Sequence, residues 1–193
     1  MTPRAPDPRS LRTVAALRDA LRGSLLESSL DEVGVSELSR RADVRRTTFY
    51  THYTSVAELL TEMLTTDIDE LLDVADTSDM SIPEVAEQFH NSLVAAFELV
   101  VRDRHLFRVG FESDASAPLR RSLTTMFERR LSLALDIWQQ HGAAVGVDAP
   151  VAASFAAGGL AASIEFWAHS DELDAACAAD SVRDQMPPWW PRS

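Results

Sequence analysis

The sequence predicts an all-α protein of about nine helices, with a three-helix unit over residues 1–54 and a larger helical unit over residues 55–193. Three observations carry this. Glycine is scarce, 7 in 193 residues, while hydrophobic residues make up 46%, enough for a sizeable core. Apolar residues return at helical spacing along most of the chain, and alternating β-branched runs are few. Helix-start signals recur: Ser55 with Glu58 and Ser81 with Glu84 both read S-x-x-E, the pattern in which a hydroxyl and a carboxylate satisfy the first free backbone N–H groups of a helix.

Taken in order, a Pro-rich arm from Met1 to Arg9 carries Arg4 and Arg9, either a plain tail or an arm able to reach a polyanion. The first helix places Leu11, Val14, Leu17, Leu21 and Leu25 on one face. Two short helices follow over VSELSRRADVRRTTFYTHY, Val35 to Tyr53. Val35, Leu38 and Ala42 form one buried face, and Val44, Phe49 and Tyr53 continue it beyond Asp43. The fourth helix starts at Ser55 and runs on Leu59, Leu60, Met63, Leu64, Ile68, Leu71 and Leu72 up to the polar stretch Asp76 to Ser81. Pro83 lies in the first turn of the fifth, which carries Val85, Phe89, Leu93, Phe97 and Val100. A shorter sixth segment holds Leu106, Phe107, Val109 and Phe111. The seventh runs from about Pro118 to His141 and ends at Gly142, the eighth from Asp148 to Trp167, and the ninth from about Ser170 until the prolines of MPPWWPRS forbid helix.

Between the apolar positions of the Val35–Tyr53 stretch stand Arg40, Arg41, Arg45 and Arg46, with Ser36, Thr47, Thr48, Tyr50, Thr51 and His52 as hydrogen-bonding groups. That mixture suits phosphates and the base edges beside them. The stretch resembles the helix-turn-helix of the TetR (tetracycline-repressor) family: Val35, Glu37, Leu38, Ser39, Ala42, Val44, Thr48, Phe49, Tyr50, His52, Ser55 and Leu59 hold matching positions, and Tyr53 takes the place of an aromatic Phe. The motif covers about the first third of the chain. The resemblance implies a DNA-binding domain over 1–54, a ligand-binding and dimerisation domain over 55–193, and a cytoplasmic homodimer that releases double-stranded operator DNA when a small molecule binds. It implies DNA contacts from Arg45, Arg46, Thr47, Thr48, Tyr50, Thr51, His52, Ser36 and Arg40.

Four positions depart from the pattern. Asp43 replaces the turn glycine, Gly34 the usual capping Thr, and Arg45 a small residue. Val56 stands where the family often has a phosphate-holding Lys, which leaves the fourth helix to hold phosphate through its N–H groups and dipole alone.

Charge is unevenly spread. The net charge is −12, yet residues 1–54 sum to +2 and the remainder to −14, and every basic residue is Arg. The N-terminal unit is thus the electrostatic footprint for a polyanion, and the acidic remainder repels one. Cys177 is the only cysteine, so neither an intrachain disulfide nor a cysteine metal cluster can form. The sequence holds no uninterrupted apolar run near the ~18 residues of a membrane span, and its start lacks a signal-peptide core.

The eighth helix is crowded with small residues, Ala152, Ala153, Ala156, Ala157, Gly158, Gly159, Ala161 and Ala162. Adjacent helical glycines cost roughly 1 kcal/mol each relative to Ala, so the pattern points to a close approach of backbones. The resemblance makes this a dimer element, with Ala153, Ala157, Gly158, Ala161 and Trp167 at the interface; tight packing inside one subunit and room for a ligand fit the pattern too. Met63, Phe89, Phe97, Phe107, Phe111, Met126, Phe127, Trp138 and Phe166 are either the lining of an effector pocket or plain core. Glu87 and His90 form one E-x-x-H, but a di-iron site needs a second; no metal and no cofactor is expected. The competing function is an all-helical enzyme or interaction module with an incidental helix-turn-helix, though no phosphate loop or nucleophile elbow is present.

Overall fold

Asp7 opens the first helix: its carboxylate accepts the Arg9 N–H at 3.0 Å, and Pro8 arrives with its φ already helical. In the computed structural model, which describes residues 7–72, 80–187 and 189–190, α1 runs Pro8–Leu25. Leu17, Leu21 and Leu25 of its expected face are buried, whereas Leu11, at 55% exposure, projects beyond the core. A 3-10 turn, Leu30–Glu32, leads to α2 (Val35–Arg41) and α3 (Arg46–His52). From there α4 (Val56–Leu71) leaves the head. The body is built by α5 (Ile82–Arg102), α6 (Arg104–Glu112), α7 (Ser116–Gln140), α8 (Ala149–His169) and α9 (Ala175–Gln185). No strand occurs among the described residues. Arg4 of the expected arm and the linker residues Asp76 to Asp79 lie outside them.

Most helix boundaries follow their local chemistry. Ser55 accepts the Glu58 N–H at 3.1 Å, while Glu58 reaches back one residue further than a capping box requires, to the Thr54 N–H at 2.6 Å. At Ser81 the box is complete. Gly142, at φ +77, ends α7 by letting the Ala143 N–H donate to the Trp138 carbonyl at 2.8 Å. The ninth helix starts five residues later than its composition predicts. Arg108 donates to the Ala168 carbonyl at 2.8 Å and Arg104 binds the Glu172 carbonyl, so residues 170–174 are held extended across α6 until Asp174 caps α9 through the Cys177 N–H at 3.0 Å.

The most extensive helix pairing is α7 against α8. At 21 residues α8 is long and apolar enough to cross a membrane, an 18-residue window within it having a mean hydropathy of 1.3, a property that counting uninterrupted apolar runs passes over. Half of that stretch is buried within the protein.

A single apolar cluster runs from Leu17 through Phe49, Met63, Phe97 and Trp138 to Trp190, so the division expected at residue 54 is not a gap in the core. Polar bonds reinforce the crossing from head to body. Arg18 donates to Glu62 at 2.9 Å, and Arg22 binds Asp67 on α4 and Asp103, at the junction of α5 and α6, at 3.1 Å. His105 Nε2 lies 2.6 Å from the Leu25 carbonyl at the end of α1. Burial pushes the Asp67 carboxyl above its ordinary range, an effect that Arg22 and then Arg18 oppose. Arg22→Ala leaves two half-buried carboxylates short of a cation, and is expected to lower unfolding free energy by about 1–3 kcal/mol. Urea unfolding checks this, and an unshifted midpoint would show that the Arg22 bonds add nothing to the hold of the head on the body.

Candidate nucleic-acid interface

The outer surface of the head is made by α3, and its rigidity comes from the opposite side of the same helix. Phe49 is fully buried and Tyr53 nearly so, their rings 5.8 Å apart. The Tyr53 hydroxyl donates to Glu62 on α4 at 3.1 Å, and burial pushes its pKa up to about 12. With that face fixed, Arg45, Arg46, Thr47, Tyr50 and Thr51 are exposed, and Thr48 and His52 are half-buried beside them.

These groups are not equally free. Arg46 lies over the Tyr50 ring at 5.6 Å from the centroid, and its Nη2 donates to the Tyr50 hydroxyl at 3.3 Å. The Thr51 hydroxyl donates to the Thr48 carbonyl at 2.6 Å, within its own helix. Arg40, exposed on α2 near Ser36, is bridged to Glu37 at 2.6 Å; Arg41 binds Glu37 at 3.0 Å and Glu27 at 2.6 Å. The hydrogen bonds from Arg40 and then Arg41 hold the Glu37 carboxyl down at about 2. Arg40 therefore sits beside an anion that a phosphate would have to displace, whereas Arg45 and Arg46 have no carboxylate partner among the described residues.

The turn between α2 and α3 depends on Asp43. It has φ +53, the left-handed region in which the family resemblance expects glycine, and it lets the Val44 N–H donate to the Ser39 carbonyl at 2.9 Å. At the start of α4 not every N–H group is left for a phosphate. Glu58 brings a carboxylate to that terminus, where it accepts the Thr54 N–H, and the Ser55 hydroxyl accepts the Glu58 N–H. Val56 is 8% exposed and belongs to the core, so it replaces a cation with packing.

In the body, the residues expected to line an effector pocket fall into two groups. Met63, Phe97, Phe107, Phe111, Met126, Phe127 and Trp138 are buried core, and Phe89 is half-buried on α5. Phe166 is 69% exposed on the outside of α8. The expected dimer residues divide by helix face as well. Ala153, Ala157, Ala161 and Trp167 are buried within the protomer, where the Trp167 ring meets Phe97 at 5.7 Å. Positions four apart share one face of a helix, and that face already packs inside the chain. The opposite face of α8 bears Val151, Phe155, Gly158, Gly159, Ala162 and Phe166, all exposed. With α9 it forms an apolar groove of about 400 Å³. A Cβ built on Gly158 or Gly159 meets nothing within 4 Å, so the close approach their presence suggests is not made by this protomer. Among the described residues no three of His, Cys, Asp and Glu gather as a metal site.

No family model and no curated protein matches the chain. Solved structures do. It is similar to the dihydroxyacetone kinase operon activator DhaS, at 15% identity and TM-score 0.64 over 90% of this chain and 93% of that one. It is similar to SmeT in a complex with triclosan, at 17% identity and TM-score 0.62 over 89% and 90%. It is also similar to the TetR family repressor AlkX from Dietzia sp. strain DQ12-45-1b, at 17% identity and TM-score 0.56 over 91% and 94%. The chain thus has the all-helical fold of transcription regulators with an N-terminal helix-turn-helix. Within that class, it is the fold of the TetR family.

Sequence reasoning missed the charge neutralisation on α2 and the inward turn of half of α8. A hint of the first was present, since Glu37 stands three and four residues before Arg40 and Arg41. Relieving the left-handed aspartate tests the turn: Asp43→Gly should stabilise the protein by about 0.5–1 kcal/mol. A rise in melting temperature supports this, and a fall would mean that the carboxylate itself holds the turn.

Proposed function

We propose that this protein is a sequence-specific DNA-binding transcriptional regulator, of the small-molecule-responsive repressor type, that works as a cytoplasmic homodimer. The observation that carries this reading is the exposed surface of α3, on which Arg45, Arg46, Thr47 and Tyr50 project from a helix pinned by Phe49 and Tyr53. Such a helix presents donors to base edges while neighbouring groups hold phosphate. The charge split supports it, because the arginines of the head approach DNA while the acidic body stays away.

Two heads must meet successive major grooves about 34–36 Å apart. The open apolar face of α8, with α9 beside it, is the surface we assign to the second copy, a continuous patch of the kind that marks protein contacts. Gly158 and Gly159 sit on it and allow two helices to approach closely. A small molecule shifts such a dimer off DNA only by binding the DNA-incompetent arrangement more tightly. SmeT, alike in fold, is known in a complex with triclosan, which supports a ligand-responsive body.

Two measurements test this reading. Arg46→Ala and Tyr50→Phe are expected to weaken binding to the DNA upstream of the protein's own gene, with Arg46→Ala flattening the salt dependence by about one unit if it contacts phosphate. Unchanged affinity in folded variants removes the head from DNA recognition. Gly159→Leu meets open space in the protomer and should leave its helices intact, yet shift sedimentation toward monomer and reduce DNA binding together. A variant that stays dimeric at low micromolar concentration places the interface elsewhere.

A further inference from the structure

Beyond α9 the chain turns back through Met186 and Pro187, with the Trp190 N–H donating to the Pro187 carbonyl at 2.9 Å. Trp190 is thereby inserted into the body, only 7% exposed. Its ring stands edge-on to Trp138 at 4.9 Å and to Phe89 at 5.2 Å, the aromatic geometry favoured by ring quadrupoles. An indole from outside the helices thus occupies a slot walled by α5 and α7.

The fit is incomplete. Trp138 is fully buried, and its Nε1–H finds no acceptor among the described residues; His90 Nδ1 is also buried without a partner. A buried polar group left unpaired costs about 1–3 kcal/mol, so two around one inserted ring mark a site not completed by its present occupant. A small void of about 20 Å³ remains between Phe89, His90, Leu93, Met186 and Trp190, about the room of one water. Trp190 lies outside the helices of the described residues, so it can leave without unwinding any of them.

We infer that the slot filled by Trp190 is a binding site for a small, flat, bicyclic aromatic molecule carrying a hydrogen-bond acceptor, which enters by displacing the Trp190 ring. The shape follows from the occupant, an indole, and the acceptor from the partner that the Trp138 Nε1–H lacks. Displacement has a mechanical consequence: Trp190 and Met186 fasten the end of α9 to α5, assisted by Asp180 3.7 Å from His90 Nε2. Releasing them loosens α9, one wall of the groove assigned to the second copy, so this part of the inference rests on the regulator reading. Trp190 is then an internal competitor, and the apparent affinity of any ligand is reduced by the fraction of molecules with the slot closed.

Quinoline is the probe, with naphthalene as a ring system of the same shape that lacks the acceptor. In calorimetric titrations without DNA, Trp190→Ala is expected to bind quinoline about tenfold more tightly than the unmodified chain, with Trp190→Phe close to the latter. Naphthalene should bind the alanine variant more weakly than quinoline does. Equal quinoline affinity in the unmodified and alanine proteins overturns the competition, and naphthalene binding as tightly as quinoline overturns the acceptor. Should the alanine variant fail to fold by circular dichroism, the unmodified chain decides: saturating quinoline must shift the Trp190 indole N–H resonance, and an unmoved resonance overturns the site. Operator binding measured on the same preparations keeps the two readings apart. A chain that binds its operator and ignores quinoline loses this site and remains a regulator.

Discussion

Arg22 holds two carboxylates from separate parts of the chain, Asp67 on α4 and Asp103 where α5 passes into α6, and the position of the head relative to the body depends on that grip. Beside it, Arg18 engages Glu62, which also receives the Tyr53 hydroxyl. The cluster thus reaches from α1 across α4 to the foot of α3. These bonds tie α3 to the body through α4, the helix that bears both Glu62 and Asp67. On its other side α6 is tied to the end of α8 through Arg108, so one nine-residue helix touches both the head and the helix with the open apolar face.

How much of this could be read in the sequence depends on the range of the interaction concerned. Helix starts were legible because a cap is made by residues within four positions of one another; Ser81 with Glu84 fixes α5 unaided. The exposed side of α3 was legible for the same reason, since the burial of Phe49 and Tyr53 dictates where Arg46 and Tyr50 point. Partners 40 to 80 residues away were not. Nothing local links Arg22 to Asp103 or Arg108 to the end of α8, and the late start of α9 follows from the latter contact.

In α8 composition announced a close approach of backbones but could not say which face makes it. With small residues on both sides, Ala153 and Ala157 on the buried one and Gly158 and Ala162 on the exposed one, the apolar stripe has no sharp polar boundary. The aromatic residues of the body are a similar case. Phe97, Phe107 and Phe127 are core by their burial, and Phe166 is surface, though sequence spacing treats them alike. Trp190 could not be placed at all from a segment whose prolines only forbid helix.

The Arg46 guanidinium, already laid over the Tyr50 ring, has a further consequence for the DNA-binding role proposed for α3. A long flexible side chain ordinarily gives up about 0.5–1.5 kcal/mol of rotamer freedom when it is immobilised at an interface. The contact with Tyr50 takes up some of that freedom in the free protein, so less would remain to be surrendered on a duplex. The restraint also narrows the arc that the guanidinium sweeps. On the regulator reading, a groove of the right width and register would find the guanidinium in place, and a misaligned one would first have to break its contact with Tyr50.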